Sequence, residues 1–283
     1  MTRPNHVALL LGTVLTLTLG LHGCESSSSE EETLRILVTN DDGVGAEGID
    51  ALVEALRADP RNEIVVCAPA EQRSGRGDTT IETDPSCGTG AAEPSSTASG
   101  YDEATWAVDG CPADAVIYAL DNLYLDAPPD LVLSGINEGQ NVGLIGGVLL
   151  SQVSGTVGAA KTAACADIPA VASSQGEGEI INYPSGVEAV LQWLEENRAA
   201  VLAGQVSVEN VTSINIPSCD EGEIRGTVEV PLATENPNDY PLFPAGPQDC
   251  TSTVQDVPND IEAFYNGYIA VTPVPRNTTC PDK

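Results

Sequence analysis

A short apolar run, Leu34-Arg-Ile-Leu-Val-Thr39, breaks off at Asn40-Asp41-Asp42-Gly43. A helical pattern follows, with Ile49, Leu52, Val53 and Leu56 on one face, and Asp59-Pro60 stops it. A second apolar strand, Glu63-Ile-Val-Val-Cys-Ala68, leads into a turn-rich loop from Pro69 to Gly77. Strand, helix and strand within about 35 residues form a βαβ unit, whose two strands lie parallel in a sheet covered by helices. The pattern then recurs. A helix with Ala113, Val116, Ile117 and Leu120 on one face precedes the strand Asp130-Leu-Val-Leu133, which breaks at Ser134-Gly-Ile-Asn137. A glycine-rich loop, a helix over 155–166, a strand over 169–173 and a helix over 185–203 come next, the last stopped by Gly204. This alternation predicts an open, mostly parallel α/β sheet over 34–210, with the Gly/Ser/Ala-rich stretch 84–104 as an insertion. Beyond Val211 short strands (212–216, 227–230, 268–274) alternate with Pro-rich loops, which predicts an appended β-hairpin region over 211–275 and a tail over 276–283.

The amino end reads as an export signal over 1–23: Arg3 supplies positive charge and an apolar stretch runs from Val7 to Leu21, too short to span a membrane. Leu21-His22-Gly23-Cys24 matches a bacterial lipobox, so Cys24 is the expected lipidated terminus. The acidic, Ser-rich segment to residue 33 is the expected tether. The protein is thus expected on a bacterial membrane, held by its anchor alone. Both histidines, His6 and His22, leave with the signal. No Ser-His-Asp triad, histidine general base or HExxH zinc site is then available. A formal net charge of −31 argues against nucleic-acid polymers and anionic membrane surfaces as partners.

Ligands of an open α/β sheet bind outside the carboxyl ends of its strands. The first strand ends there in Asn40, Asp41 and Asp42, the second leads to Arg73-Ser74-Gly75, and the third ends in Ser134-Gly-Ile-Asn137. Adjacent carboxylates repel unless a cation lies between them. The two carboxylates, with a hydroxyl and an amide oxygen arriving from the other strand tips, make an all-oxygen site suited to Mg²⁺ or Mn²⁺, with Ca²⁺ as a further candidate. Ser154-Gly155-Thr156 opens a helix, and exposed N–H groups there suit a phosphate. A phosphoacceptor domain would need an Asp at the end of the third strand, where Ser134-Gly-Ile-Asn137 stands.

Through these residues the sequence resembles the SurE (survival protein) family of metal-dependent nucleotidases. The matching segments are Arg35–Gly43 with Glu47-Gly-Ile49, Val65–Pro69 with Arg73-Ser-Gly75, Gly110–Asp114, Pro129–Asn137 with Gly139 and Asn141, and Ser154–Ala160. Ile214–Pro217 and Gly267–Pro273 extend the match to about 34–275. The resemblance implies a Rossmann-like core with a protruding hairpin used in oligomerisation, as a homodimer or homotetramer. It implies a metal held by Asp41, Asp42, Ser74 and Asn137, catalysis centred on Asp41, Asp42 and Asn40, and a phosphate near Asn141, Ser154, Gly155 and Thr156. The implied reaction is hydrolysis of phosphate monoesters, nucleoside monophosphates first. The alternative is a surface lipoprotein that keeps the fold to bind a ligand without turnover. The sequence departs from the family pattern at Ala46-Glu47-Gly48, at Cys111, where Thr is common, and in the longer 142–153 loop.

Seven cysteines follow Cys24. Cys219 and Cys250 bracket the segment matching the family's hairpin, and Cys87 and Cys111 bracket the insertion, so these pairs are the expected disulfides. Cys67 and Cys165 read as small buried residues, Cys280 as the free thiol. Arg73 and Arg76 are candidate phosphate contacts that read more simply as solvated loop residues. Lys161 reads as a surface residue, and Trp106 and Trp193 as packing residues.

Overall fold

A computed structural model describes residues 1, 32–97, 100–145, 148–236, 239–242, 246–276 and 280. The export signal, the lipobox and most of the tether and tail lie outside them.

The strands are β1 (Leu34–Thr39), β2 (Asn62–Pro69), β3 (Ala92–Thr97), β4 (Gly100–Val108), β5 (Leu131–Glu138), β6 (Leu144–Ile145), β7 (Val148–Leu149), β8 (Ala170–Gln175), β9 (Asn210–Ile216), β10 (Thr227–Glu229) and β11 (Ile269–Pro275). The helices are α1 (Glu47–Arg57), α2 (Pro112–Asn122), α3 (Leu150–Val153), α4 (Gly155–Cys165), α5 (Tyr183–Leu202) and α6 (Asp260–Tyr265). All strands but β6 and β7 join one sheet in the order β10-β11-β9-β8-β5-β1-β2-β4-β3. Its pairs are parallel except β9–β11 and β3–β4.

β1 is apolar throughout because both of its faces are covered. Ile36 and Val38 join the core beneath α1 and α5, with Ile49, Leu52, Leu56 and Leu194. Leu37 points the other way, into the core beneath α2 and α4, with Val116, Val157 and Ala160. Trp193 packs against the first core and Trp106 against the second. A third core gathers Val142, Ile261, Phe264 and Tyr268 around α6.

Beyond Val211 the described long strands stay with the main sheet. β9 pairs with β8 in parallel, and β11 pairs with β9 across a long excursion, so both extend the main sheet. Short strands between Pro-rich loops give no local cue to which edge they join. The insertion holds a hairpin of its own, β3–β4, on the opposite edge of the sheet.

Cys87–Cys111 and Cys219–Cys250 are disulfide-bonded as expected. Cys280 is not free. It pairs with Cys165 across 115 residues, because β11 carries the chain back past the end of α4, where Arg276 also donates to the Ala164 carbonyl (3.1 Å). Cys67 is the free thiol among the described residues, and burial pushes its pKa up to about 12.

Candidate active site at the sheet edge

β2 follows β1 on one side, while β5 lies on the other, so the strand order reverses at the β1–β5 border. Open α/β sheets bind ligands in the crevice at such a point. The turn after β1 opens directly into it.

Asn40 is fully buried and ties that turn to itself: its Nδ2 donates to the Gly43 carbonyl (3.0 Å) and its Oδ1 accepts from the Gly43 amide (3.2 Å). Both ends of its side chain bond within the turn, so Asn40 helps set the direction of the acid pair. Asp41 is 2% exposed and accepts from the Thr156 hydroxyl. Burial pushes its carboxyl above the usual range, opposed by that hydroxyl and by the Thr156 and Gly155 amides. A Cβ on Gly155 would stand 2.7 Å from the Asp41 Cβ, so only glycine lets the start of α4 come this close. Asp42 is half-buried and accepts from the Glu138 amide at the end of β5 (2.9 Å). Burial first, then the charge of Asp41, raises its pKa to about 7.

A cavity of about 320 Å³ opens beside the turn. Asp41, Ser74, Asn137, Asn141 and Ser154 line it, which brings most of the expected residues together. Gly155 and Thr156 are buried behind it and hold Asp41. The helix-start amides expected to cradle a phosphate thus face a carboxylate of the protein itself. Ser154 both lines the cavity and caps α4, accepting from the Val157 amide (3.2 Å). Asn141 is fixed twice, its amide donating to Asn215 Oδ1 (2.7 Å) and its Nδ2 to Ser174 Oγ (2.8 Å).

Several lining residues carried little or no signal in the sequence. Glu138 directly follows the third-strand motif, and Glu177 sits in the Gly-flanked turn after β8, a cue that could have flagged it. Leu150, Val153 and Leu242 form an apolar wall. Leu242 comes from the far end of the chain, and nothing local marks it.

The loop that presents Ser74 is strongly held. The Arg73 amide donates to the Asp41 carbonyl (2.6 Å), and the Gly77 amide to Val153 (2.9 Å). The Ile81 amide donates to Asp114 (3.1 Å), the residue that completes the cap of α2. A Cβ on Gly158 would stand 1.9 Å from the Gly77 carbonyl, so the loop lies directly on α4. That contact also explains Lys161. It was expected on the surface and is 6% exposed, and burial pulls its pKa down against the opposing Asp78 carboxylate. Arg73 Nε donates to the Cys87 carbonyl (3.2 Å), and its guanidinium pairs with Glu71 and Asp109. Arg76 pairs with Asp84 (2.7 Å). Neither lines the cavity.

The donors fit a divalent cation. Among the described residues no Lys or Arg pairs with Asp41 or Asp42, so two adjacent, repelling carboxylates stand without a positive partner. Asn137 spends its Nδ2 on the Gly139 carbonyl, and its Oδ1 stays available. Carboxylate, hydroxyl and amide oxygens without His or Cys suit a hard cation.

This predicts how a cation stabilises the fold with pH. A carboxyl raised from 3.8 to about 7 binds more protons folded than unfolded, so Asp42 loses the metal-free protein stability as pH rises from about 4 to about 7. A bound cation removes that penalty. The rise in melting temperature on adding Mn²⁺ should therefore be larger at pH 8 than at pH 5, as read by calorimetry. An equal rise at both would contradict it.

Comparison with known proteins decides the family. The profile described as Survival protein SurE matches residues 36–238. The chain belongs to the SurE family. A SurE relative from Brevibacillus brevis, named 5′-nucleotidase SurE, is 34% identical over 257 residues, covering 87% of this chain and 92% of its own. One of the same name from Alkaliphilus metalliredigens is 32% identical over 250 residues, covering 85% and 92%. The crystal structure of the SurE protein from Aquifex aeolicus is similar at a TM-score of 0.65 and 26% identity, covering 87% of this chain and 94% of that one.

Proposed function

We propose that this protein is a metal-dependent phosphomonoesterase that hydrolyses nucleoside monophosphates. The observation that carries the reading is the Asp41–Asp42 pair without a basic partner, Asp41 buried and lining a cavity of oxygen donors and Asp42 half-buried beside it. The names of the SurE relatives support the same substrate class.

Asp41, Asp42, Ser74 and Asn137 would hold the cation, Mg²⁺ or Mn²⁺ by their hardness. When bound, it supplies a Lewis acid for the phosphoryl group and makes a nearby water more acidic. Thr156 and Gly155 hold the Asp41 carboxylate, and the Glu138 amide holds one Asp42 oxygen, so both acids are aimed before substrate arrives. Asn141 and Ser154 offer neutral polar contacts to the phosphoryl oxygens. Water adds to phosphorus, the ester P–O bond breaks, and the leaving oxygen takes a proton, giving alcohol and inorganic phosphate. The Leu150, Val153 and Leu242 wall is placed for the alcohol half.

Export and lipid anchoring through Cys24 belong to the same proposal, as does assembly into a homodimer or homotetramer. Three disulfides agree with an oxidising compartment. A panel of phosphate monoesters and diesters, assayed with Mn²⁺, tests the reaction. Phosphate release from nucleoside monophosphates and none from diesters is expected, and activity confined to diesters would sink the reading.

A further inference from the structure

The chain leaves the sheet at Ile216, the end of β9, and returns at Ile269, carrying β10 and α6 in between. The core around α6 also takes in Val142, a fully buried residue of the loop after β5. That loop brings Gln140 and Asn141 to the cavity wall, and the excursion adds Leu242.

Asp260 opens α6 where the loop and the excursion meet, and it is 1% exposed. One carboxylate oxygen accepts from the Gly143 amide (3.1 Å), the other from the Ala233 amide (2.7 Å) and the Ile261 amide (3.0 Å). Burial pushes the carboxyl above its usual range, and the three amides oppose that shift. Among the described residues no Lys or Arg pairs with it. A carboxylate buried without a cation is unfavourable wherever an apolar side chain would serve. Here two oxygens join amides from three separate segments, which no apolar residue can do.

Asp260 does not line the cavity, but a hydrogen-bonded line runs from it to residues that do. The Gly143 carbonyl accepts from the Leu150 amide (2.8 Å), and the Leu150 carbonyl accepts from the Ser154 amide (2.8 Å). Gly143 is closely packed at its own end of the line. At φ +73°, a Cβ there would stand 2.5 Å from Ile261 Cδ1 and 3.0 Å from Leu242 Cδ1. The residues expected to hold the cation are fixed from other directions. Thr156 holds Asp41, the Glu138 amide holds Asp42, and the Arg73 amide holds the Ser74 loop.

Resting on the phosphomonoesterase reading above, we propose that Asp260 is a positioning residue for substrate binding. From behind the cavity wall it sets Leu150 and Ser154 opposite the Asp41–Asp42 pair, by way of Gly143. It touches neither substrate nor cation. Asn141 keeps its own bonds to Asn215 and Ser174, so the loss of Asp260 falls on Leu150 and Ser154. The grip on the phosphate ester weakens, while the cation and the chemical step are left in place.

Asp260→Asn keeps the size of the side chain, but its single acceptor oxygen cannot serve both ends. Turned to Ala233 and Ile261, its NH₂ group faces the Gly143 amide, donor against donor. The test measures KM and kcat for AMP, the Mn²⁺ concentration for half-maximal activity, and inorganic phosphate binding by calorimetry at saturating Mn²⁺. KM should rise and phosphate binding weaken by about tenfold or more, the scale of one lost hydrogen bond to a charged group. Both kcat and the Mn²⁺ requirement should stay within about threefold of the wild type. Val257→Ala, a change in the same core that removes no polar group, reads the effect of lost stability alone and should leave KM near the wild type. If Asp260→Asn does not fold, Asp260→Ser keeps a hydroxyl at the start of α6, drops the reach to Gly143 and carries the same expectation. An unchanged KM overturns the inference, as does a rise that Val257→Ala matches, or failure of both Asp260 variants to fold. The monoesterase reading stands in each of those cases. Absence of AMP hydrolysis by the wild type brings down that reading, and the inference with it.

Discussion

Asp42→Asn is expected to lower kcat/KM for a nucleoside monophosphate by two orders of magnitude or more, the scale on which removing metal assistance acts. The substitution keeps the shape of the side chain and removes one of the two charges that hold the cation. It should not act through folding. In the metal-free protein Asp42 is held against its preference by burial and by Asp41, so a neutral amide relieves a strain present above about pH 7. The variant should therefore melt no lower than the metal-free wild type at pH 8, while losing most of its response to Mn²⁺. Loss of activity together with a lower metal-free melting temperature would instead mark Asp42 as a structural residue.

The second large effect concerns the loop that presents Ser74. Cys87–Cys111 joins the end of that loop to the residue that caps α2. Pro112, which follows, lies against Gly155, where a Cβ would stand 3.0 Å from its ring. The disulfide therefore ties the Ser74 loop to the same packing that holds Asp41. Closing a 24-residue separation contributes about 3 kcal/mol in the chain-entropy view. For a domain of this size that corresponds to a fall of about 6–12 °C in melting temperature for Cys87→Ala/Cys111→Ala. The freed loop should also raise the Mn²⁺ concentration needed for half-maximal activity. A melting temperature within a degree or two of the wild type would show that hydrogen bonds alone hold the loop.

The main elements of the sheet were legible because β1, β2, β5 and β8 are short, largely apolar runs, and β1, β5 and β8 end in polar residues. Asp41, Asp42, Ser74 and Asn137 could be named because they follow those runs within a few residues, where topology gathers strand ends. What stayed hidden depends on approach between distant segments. Thr156 reads as a phosphate residue in sequence, and only the packing of Gly155 on Asp41 shows its hydroxyl turned to the carboxylate. Lys161 is buried because Gly158 and Gly77 let a loop descend onto α4. Leu242 reaches the cavity, and Cys280 reaches Cys165, through a segment with no strong periodicity to give its path. β9 and β11 were read as strands correctly, but their place in the sheet is set by pairing across about 50 intervening residues, which no local pattern encodes.

The most direct measurement is phosphate release from AMP by protein stripped of metal with EDTA and freed of the chelator, before and after addition of Mn²⁺ or Mg²⁺. The expected result is no turnover in the stripped protein and saturable recovery with either cation, absent in Asp42→Asn. Full turnover in the presence of EDTA would contradict a mechanism built on the Asp41–Asp42 pair.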